Sequence, residues 1–570
     1  MSWSRRAFLN AGVATVAATG NFWVSEDAGA RSAGDPKVFN ELDAFIERYL
    51  RAMNAPGMTL VLADANGTRR VATYGFGDLA RREPVRAGEL FQIGSISKSF
   101  VALALMQLCD EGRLDLHKPV IEYLPWLRIA SAYAPITTHH LLTHSAGLPD
   151  ALEVILADRQ DSHPVAWPPG AHFWYSNLGY SILGYLAAKL DGRALPEVIR
   201  ERVFKPLSMN ASTPFIDYSM IAREVRSYAP LLADRPYPVD GALREAPSLV
   251  VTDAAGCIAS TAQDMGRYLA MLINAGRGPT APLVSAASFE RFATPHIRAA
   301  DFGPTASYGY GIAVDKLDEA TVLRHTGGMV SFMSSILVDT TNGVGCFASI
   351  NAQQGYRPVP VTEYAVRLLR GEKSKPPAAP ALVAPQEIED AQDYTGTFKG
   401  EKASLQFVAD GRRLFLVDAD RRIPLARAGA ANQFHVLDPA FDRFVMVFGR
   451  ANPNGATPKE QGAVVEASWG GDWFVNAAYR GPRSFDVPAV WQSYAGHYRN
   501  DNPWLGSLRI IILKNRLTID AMTPIEADGP LFRLRDEPVN TSWLRFEELV
   551  DGQCLRLKYN GSDFWRVPVP

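Results

Sequence analysis

The chain has 570 residues, 47% of them hydrophobic and 21% charged, with 58 basic against 60 acidic residues and a net charge of −2. That mix excludes disorder as the main state, and the even charge balance supplies no basic field for nucleic acid, no acidic tail and no polybasic membrane patch. No apolar run reaches the roughly 18 residues of a spanning helix, and the four cysteines form no C-x-x-C pair that would signal a zinc ribbon or a disulfide framework. At about 150 residues per domain, the length predicts three or four domains.

The first segment reads as an export address. Arg5-Arg6 after Ser4, then Phe8-Leu9 and a weakly apolar stretch to Gly20, resembles the twin-arginine motif, and Ala28-Gly29-Ala30 offers a small-residue cleavage site. Residues 1–30 are therefore expected to be a signal peptide, with a mature protein starting near Arg31 in the periplasm or outside the cell. From Pro36 to Arg370 strand-like and helix-like segments alternate. Met58–Leu62 and Arg70–Tyr74 read as strands joined at Asn66-Gly67. A helix is expected over Ser97–Glu111, stopped by Gly112, another from His139 to Ala146 before Gly147, and a third capped by Ser260 or Thr261 and running to Leu272. The pattern predicts a mixed α+β or α/β domain over residues 31–372. Residues 373–385, rich in proline and alanine, read as a semi-rigid linker. Beyond it short alternating strands take over. Tyr394-Thr395-Gly396-Thr397-Phe398 recurs as Tyr494-Ala495-Gly496-His497-Tyr498, predicting two antiparallel β-barrel domains over 386–481 and 482–570. Trp469, Trp473 and Trp565 are expected in the barrel cores.

Three clusters carry chemistry. Ser95-Ile96-Ser97-Lys98 opens a helix, and positions i and i+3 share a face, so the Lys98 amine can lie beside the Ser95 hydroxyl. A serine hydroxyl is a weak nucleophile until a neighbour takes its proton, and the helix start offers N–H groups to a developing oxyanion. Such a pair arises by chance about twice in a chain of ordinary composition and this length, so it needs support. Tyr175-Ser176-Asn177 precedes an apolar helix; a tyrosine beside a cation is a possible base, and Asn177 could donate to a substrate carbonyl and steady the lysine. His325-Thr326-Gly327-Gly328 follows a strand, where glycines let a substrate approach the backbone.

Ser95-x-x-Lys98, Tyr175-x-Asn177 and His325-Thr326-Gly327, in this order and spacing, resemble the motifs of the serine hydrolases that include class C β-lactamases, D,D-peptidases, D-aminopeptidases and related esterases. Ile136–Leu148 and Ala255–Thr261 resemble a helix and a loop of the same family, and the likeness spans about residues 38 to 370. It implies a β-lactamase/transpeptidase-like catalytic domain with Ser95 as nucleophile and Lys98 and Tyr175 sharing the general-base role. It also implies substrate orientation by Asn177 and an oxyanion hole from the N–H groups of Ser95 and Gly328. No cofactor or metal is implied, and the expected partner is a small molecule or short peptide. One departure stands out: penicillin-recognising relatives carry lysine at the place of His325, and a neutral-leaning histidine attracts a substrate carboxylate poorly. The expectation is thus an exported hydrolase of small peptides or amides, including D-amino-acid peptides. An esterase or weak β-lactamase of the same fold is the alternative, and a catalytically silent cell-wall-binding protein the non-enzyme alternative. Other signals are set aside. His140 and His144 have zinc-compatible i, i+4 spacing without an acidic partner between them, and no G-x-S-x-G elbow occurs.

Overall fold

In the helix α1 (Pro36–Ala52), Phe39, Leu42, Phe45, Ile46, Tyr49 and Leu50 fall at helical spacing and are buried. The strands β1 (Gly57–Asp64) and β2 (Gly67–Asp78) follow as the expected hairpin, turning at Ala65-Asn66. The computed structural model describes residues 24–26 and 36–568, apart from 150–162, 232–241, 248, 354–357, 373–374, 378–385, 430, 455–456, 503 and 535–539. The proposed cleavage site and much of the linker lie outside those residues. Val24–Glu26, inside the expected signal segment, pairs with β2.

The next helices are α2 (Ser97–Asp110), α3 (Thr138–Leu142), α4 (Asn177–Asp191) and α5 (Ala262–Ile273). Four strands come next: β3 (Ala313–Leu317), β4 (Ala320–Gly328), β5 (Met333–Asp339) and β6 (Val344–Ile350), and then helix α6 (Val359–Leu369). They build one ten-stranded antiparallel sheet in the order Val24–Glu26, β2, β1, β6, β5, β4, β3, Ser307–Tyr308, Ile297–Arg298, with Glu83–Pro84 paired to β2. Successive side chains on a strand point to opposite faces. Val61, Ile336, Val338 and Phe347 accordingly join the core formed with α2, α4 and α5. Helix α6 covers β5 and β6 and packs against α1, with Phe45 and Tyr364 ring centroids 5.0 Å apart.

Helix α2 is buried on nearly every side, from Ser97 through Met106, as expected of a central helix rather than an amphipathic surface one. Its start therefore places Lys98 in the protein interior. The expected helix from His139 to Ala146 is shorter. Thr137 caps α3, accepting from the His140 N–H, and the helix stops at Leu142 because His144 adopts a left-handed conformation (φ 55°). Thr261, not Ser260, caps α5.

The C-terminal chain forms two closed eight-stranded barrels. The repeated Tyr-x-Gly motif begins the first strand of each, Gly396–Lys399 and Gly496–Arg499, and closure is made by Lys399 opposite Val475 and by His497 opposite Val567. Phe398, Phe407, Phe434, Phe448 and Phe474 fill the first barrel, and Tyr498, Ile510, Leu517, Leu544 and Phe564 the second. A short helix precedes each first strand, at Ala391–Tyr394 and Val490–Tyr494. The two barrels belong to one compact unit and the sheet domain to another. Lys514 of the second barrel pairs with Glu466 of the first, and Arg509 donates to the Arg443 carbonyl at 3.0 Å. Trp469 packs against the first core as expected, but Trp473 packs outside it, with Val465, Val475 and Tyr479, and Trp565 does not enter the second. Its neighbour Phe564 points inward, so Trp565 faces outward, 47% exposed, with the Arg556 guanidinium 5.6 Å from its ring.

Candidate active site

Gly94, at φ 54°, turns the chain out of Phe91–Gln92 into a single 3₁₀ turn, Gly94–Ile96, which runs directly into α2. Ser95 is half-buried on that turn and Lys98 fully buried one turn later. The sequence spacing is realised: Lys98 Nζ donates to Ser95 Oγ at 3.0 Å. Lys98 Nζ also donates to Asn177 Oδ1 at 2.7 Å and to the Ala255 carbonyl at 2.8 Å. An amide oxygen and a backbone carbonyl only accept, so together they occupy two amine protons. The third direction is left to Ser95. There an ammonium donates, whereas a neutral amine presents the lone pair that takes the serine proton.

Each partner is held by its own element. Ser176 caps α4, accepting from Gly179 N–H at 3.2 Å, and so fixes Asn177 as the first helical residue. Ala255 lies in a turn where its N–H donates to Asp253 Oδ1 at 2.8 Å, while Ser181 of α4 donates to the other carboxylate oxygen. Burial raises the Asp253 carboxyl above the usual carboxylate range, against the hydrogen bonds from Ser181 and Ala255 and the nearby Lys98 charge. Farther along that loop, Ile258 N–H donates to Ser97 Oγ at 3.1 Å, and its carbonyl accepts from Ile93 N–H at 3.0 Å.

The glycines of β4 allow the sheet to touch the nucleophile turn. A Cβ on Gly327 would lie 1.9 Å from the Ile93 carbonyl oxygen, and one on Gly94 would lie 2.8 Å from Gly328 N. The backbone of Gly328 thus runs alongside that of Gly94 and Ser95, the pairing an oxyanion hole requires.

Tyr175 stands over the lysine, with Nζ 4.8 Å from its ring centroid; Tyr180 receives it at 5.4 Å. His325 and Thr326 lie on β4, where His325 is buried. Its Nδ1 donates to the Thr326 carbonyl at 2.7 Å, which leaves Nε2 to accept from the Tyr308 hydroxyl at 2.9 Å. Phe302 lies 5.1 Å and Tyr175 6.3 Å from the His325 ring, centroid to centroid. This wall is aromatic, with its imidazole engaged at both nitrogens. The eight singled-out residues are thus placed by the 3₁₀ turn (Ser95), the start of α2 (Lys98), the approach to and start of α4 (Tyr175, Asn177) and the end of β4 (His325, Thr326, Gly327, Gly328).

Sequence reasoning missed the Ala255 carbonyl, Tyr180, Phe302, Tyr308 and the part taken by His144. His140 and His144 share no helical face. His140 closes the cap with Thr137, whereas His144 turns inward, its Nδ1 accepting from Ser176 N–H at 3.0 Å. Among the described residues no group of three or more His, Cys, Asp or Glu is arranged to hold a metal ion.

A half-buried serine bonded to a buried lysine, with an adjacent Tyr, on a mixed sheet-and-helix domain, defines a serine hydrolase of the acyl-transfer kind. The chain belongs to the beta-lactamase family, whose model matches residues 42–370. It is 23% identical over 387 residues to a penicillin-binding protein of Bacillus subtilis (strain 168), covering 63% of this chain and 83% of that one. It is 30% identical over 243 residues to a beta-lactamase of Escherichia coli (strain K12), covering 41% and 61%, and 28% identical over 309 residues to a D-aminopeptidase of Cereibacter sphaeroides, covering 51% and 56%. The solved octameric penicillin-binding protein homologue from Pyrococcus abyssi shares the fold, with a TM-score of 0.54 at 23% identity over 77% of this chain and all of that one.

Proposed function

We propose that this protein is an exported hydrolase of small amides, peptides or esters, working through an acyl-enzyme on Ser95. The observation that carries the reading is the Lys98 amine, with Asn177 and Ala255 taking two of its directions and Ser95 Oγ the third. In this reading Ser95 Oγ attacks the substrate carbonyl as its proton passes to Lys98 or Tyr175. The oxyanion is met by the N–H groups of Ser95 and Gly328. Collapse returns the proton to the departing amine or alcohol, and water then repeats the sequence on the acyl-enzyme to release the acid.

His325 steers the substrate class. Its nitrogens are taken up by Thr326 and Tyr308 and it supplies no fixed cation of the kind a lysine would, so a substrate carboxylate gains little there. This supports D-amino-acid amides and peptides, or esters, over β-lactams. The similar proteins include, beside beta-lactamases, the D-aminopeptidase and an esterase of Burkholderia gladioli, 29% identical over 240 residues, and His325 is what favours the latter kinds in this reading. Export rests on Arg5-Arg6 and the small residues before Arg31, and N-terminal sequencing of the secreted protein tests it.

The activity test is a fluorophosphonate label followed by a panel of D-amino-acid amides, p-nitrophenyl esters and β-lactams. The expected result is an adduct on Ser95, absent in Ser95→Ala, with amide or ester turnover exceeding β-lactam turnover. No adduct and no turnover across the panel would leave the silent binding-protein reading.

A further inference from the structure

His144 is fully buried beside the site, in a left-handed conformation that a non-glycine residue adopts only at a cost. Its contacts converge on one neighbour. The backbone carbonyl of His144 accepts from Trp174 N–H at 2.8 Å, and its Nδ1 accepts from Ser176 N–H at 3.0 Å. These are the residues on either side of Tyr175. The imidazole itself packs on Tyr175, ring centroids 4.2 Å apart and 32° from parallel, closer than on Tyr308 (4.9 Å), Tyr180 (5.0 Å) or Phe173 (5.8 Å). Because Nδ1 accepts a backbone proton, the ring carries its own on Nε2. That buried Nε2 has no hydrogen-bond partner among the described residues.

We infer that His144 is the positioning residue for Tyr175, gripping the backbone on both sides of the tyrosine and backing its ring, so that the phenol is set against Lys98 before substrate arrives. The inference rests on the acyl-transfer reading of the site, in which Tyr175 takes part. Its physical content is that a small displacement of a proton-transferring group costs rate rather than binding.

His144→Ala removes the acceptor and the ring. His144→Asn keeps a side-chain oxygen near the place of Nδ1, in a residue type that tolerates the left-handed backbone. With p-nitrophenyl acetate as probe, His144→Ala is expected to lower kcat about 100-fold with KM changed less than about threefold, and His144→Asn to recover to within about tenfold of wild type. In a Tyr175→Phe background the His144→Ala loss should shrink to about twofold, because the residue acts through the missing hydroxyl. An undiminished loss in that background, or a folded His144→Asn no better than alanine, overturns the inference. A readout independent of turnover is ¹³Cζ-tyrosine NMR, with the Tyr175 signal assigned by Tyr175→Phe. That signal should move in His144→Ala and return toward its place in His144→Asn; an unmoved signal overturns the inference as well. Wild-type protein that neither turns over nor labels, yet shows the NMR pattern, sinks the hydrolase reading and leaves the positioning role standing.

Discussion

At the scale of single residues, the site turns on one direction in space, the line from Lys98 Nζ to Ser95 Oγ. The carbonyls of Asn177 and Ala255 hold that amine from two other sides. A negative charge at position 177 would hold the ammonium in its protonated form, so a base that must lose its proton would do so only at higher pH. Asn177→Asp is therefore expected to lower kcat/KM at pH 7 by about 100-fold and to move the rising limb of the pH–rate profile upward by a unit or more, roughly. An unchanged profile would argue that Tyr175 alone takes the proton. The Ser95–Lys98 pair is legible in the sequence because i, i+3 spacing on a helix dictates adjacency, and Asn177 is legible as a polar residue at a helix start. The Ala255 carbonyl is not, since every residue carries one and only the Asp253 turn aims it. Nor is the use made of His325: its partner Tyr308 lies on another strand, and pairing across a sheet leaves no local trace.

At the scale of elements, the catalytic turn is wedged between a helix and a sheet that touch backbone to backbone. Gly327→Ala would drive a methyl group into the Ile93 carbonyl at 1.9 Å, and neither side is a flexible side chain that could swing away. The expected cost is about 2–3 kcal/mol of stability together with at least roughly 100-fold of kcat, since β4 would carry Gly328 away from Ser95. Denaturant unfolding and steady-state kinetics on one preparation check both. Gly343, at a left-handed turn with only Ile273 near its Cβ position, serves as the contrast: Gly343→Asn should cost little activity. The elements themselves were readable where periodicity ran long, as in α2 and the β1–β2 hairpin. Helix α3 was overextended because apolar spacing continues past Leu142, and a left-handed residue ends a helix without changing that spacing.

At the scale of the whole molecule, burial makes several histidines acid-sensitive. His117, His139, His140 and His296 sit together, with His139 ring centroids 5.2 to 5.7 Å from the other three. Burial, then the charges of His296, His140 and His117, push His139 down to about 4, and burial lowers His140, His296 and His144 as well. Unfolded imidazoles bind protons from about pH 6.5 downward. At these histidines the unfolded chain holds more protons than the folded one between about 6.5 and 4, so their contribution to stability falls as pH drops through that window, against the opposite contribution of Glu224, whose carboxyl burial raises to about 7. Across it the melting temperature of the wild type should fall relative to that of His139→Gln. Division into two compact units further predicts at least two calorimetric transitions for the full chain.

The closed barrels bear on one more property, the way the unfolding protein aggregates. A sheet edge is a template for a strand from another molecule, and a closed barrel has none. The catalytic sheet does have edges: Ile297–Arg298, two residues long, at one end, and at the other β2, whose outer neighbour Val24–Glu26 is lost when the chain is cut near Arg31. Fibrillar growth on heating is therefore expected to start at β2, the longer edge with twelve residues, in the cleaved protein, and to be slower while Val24–Glu26 still covers it.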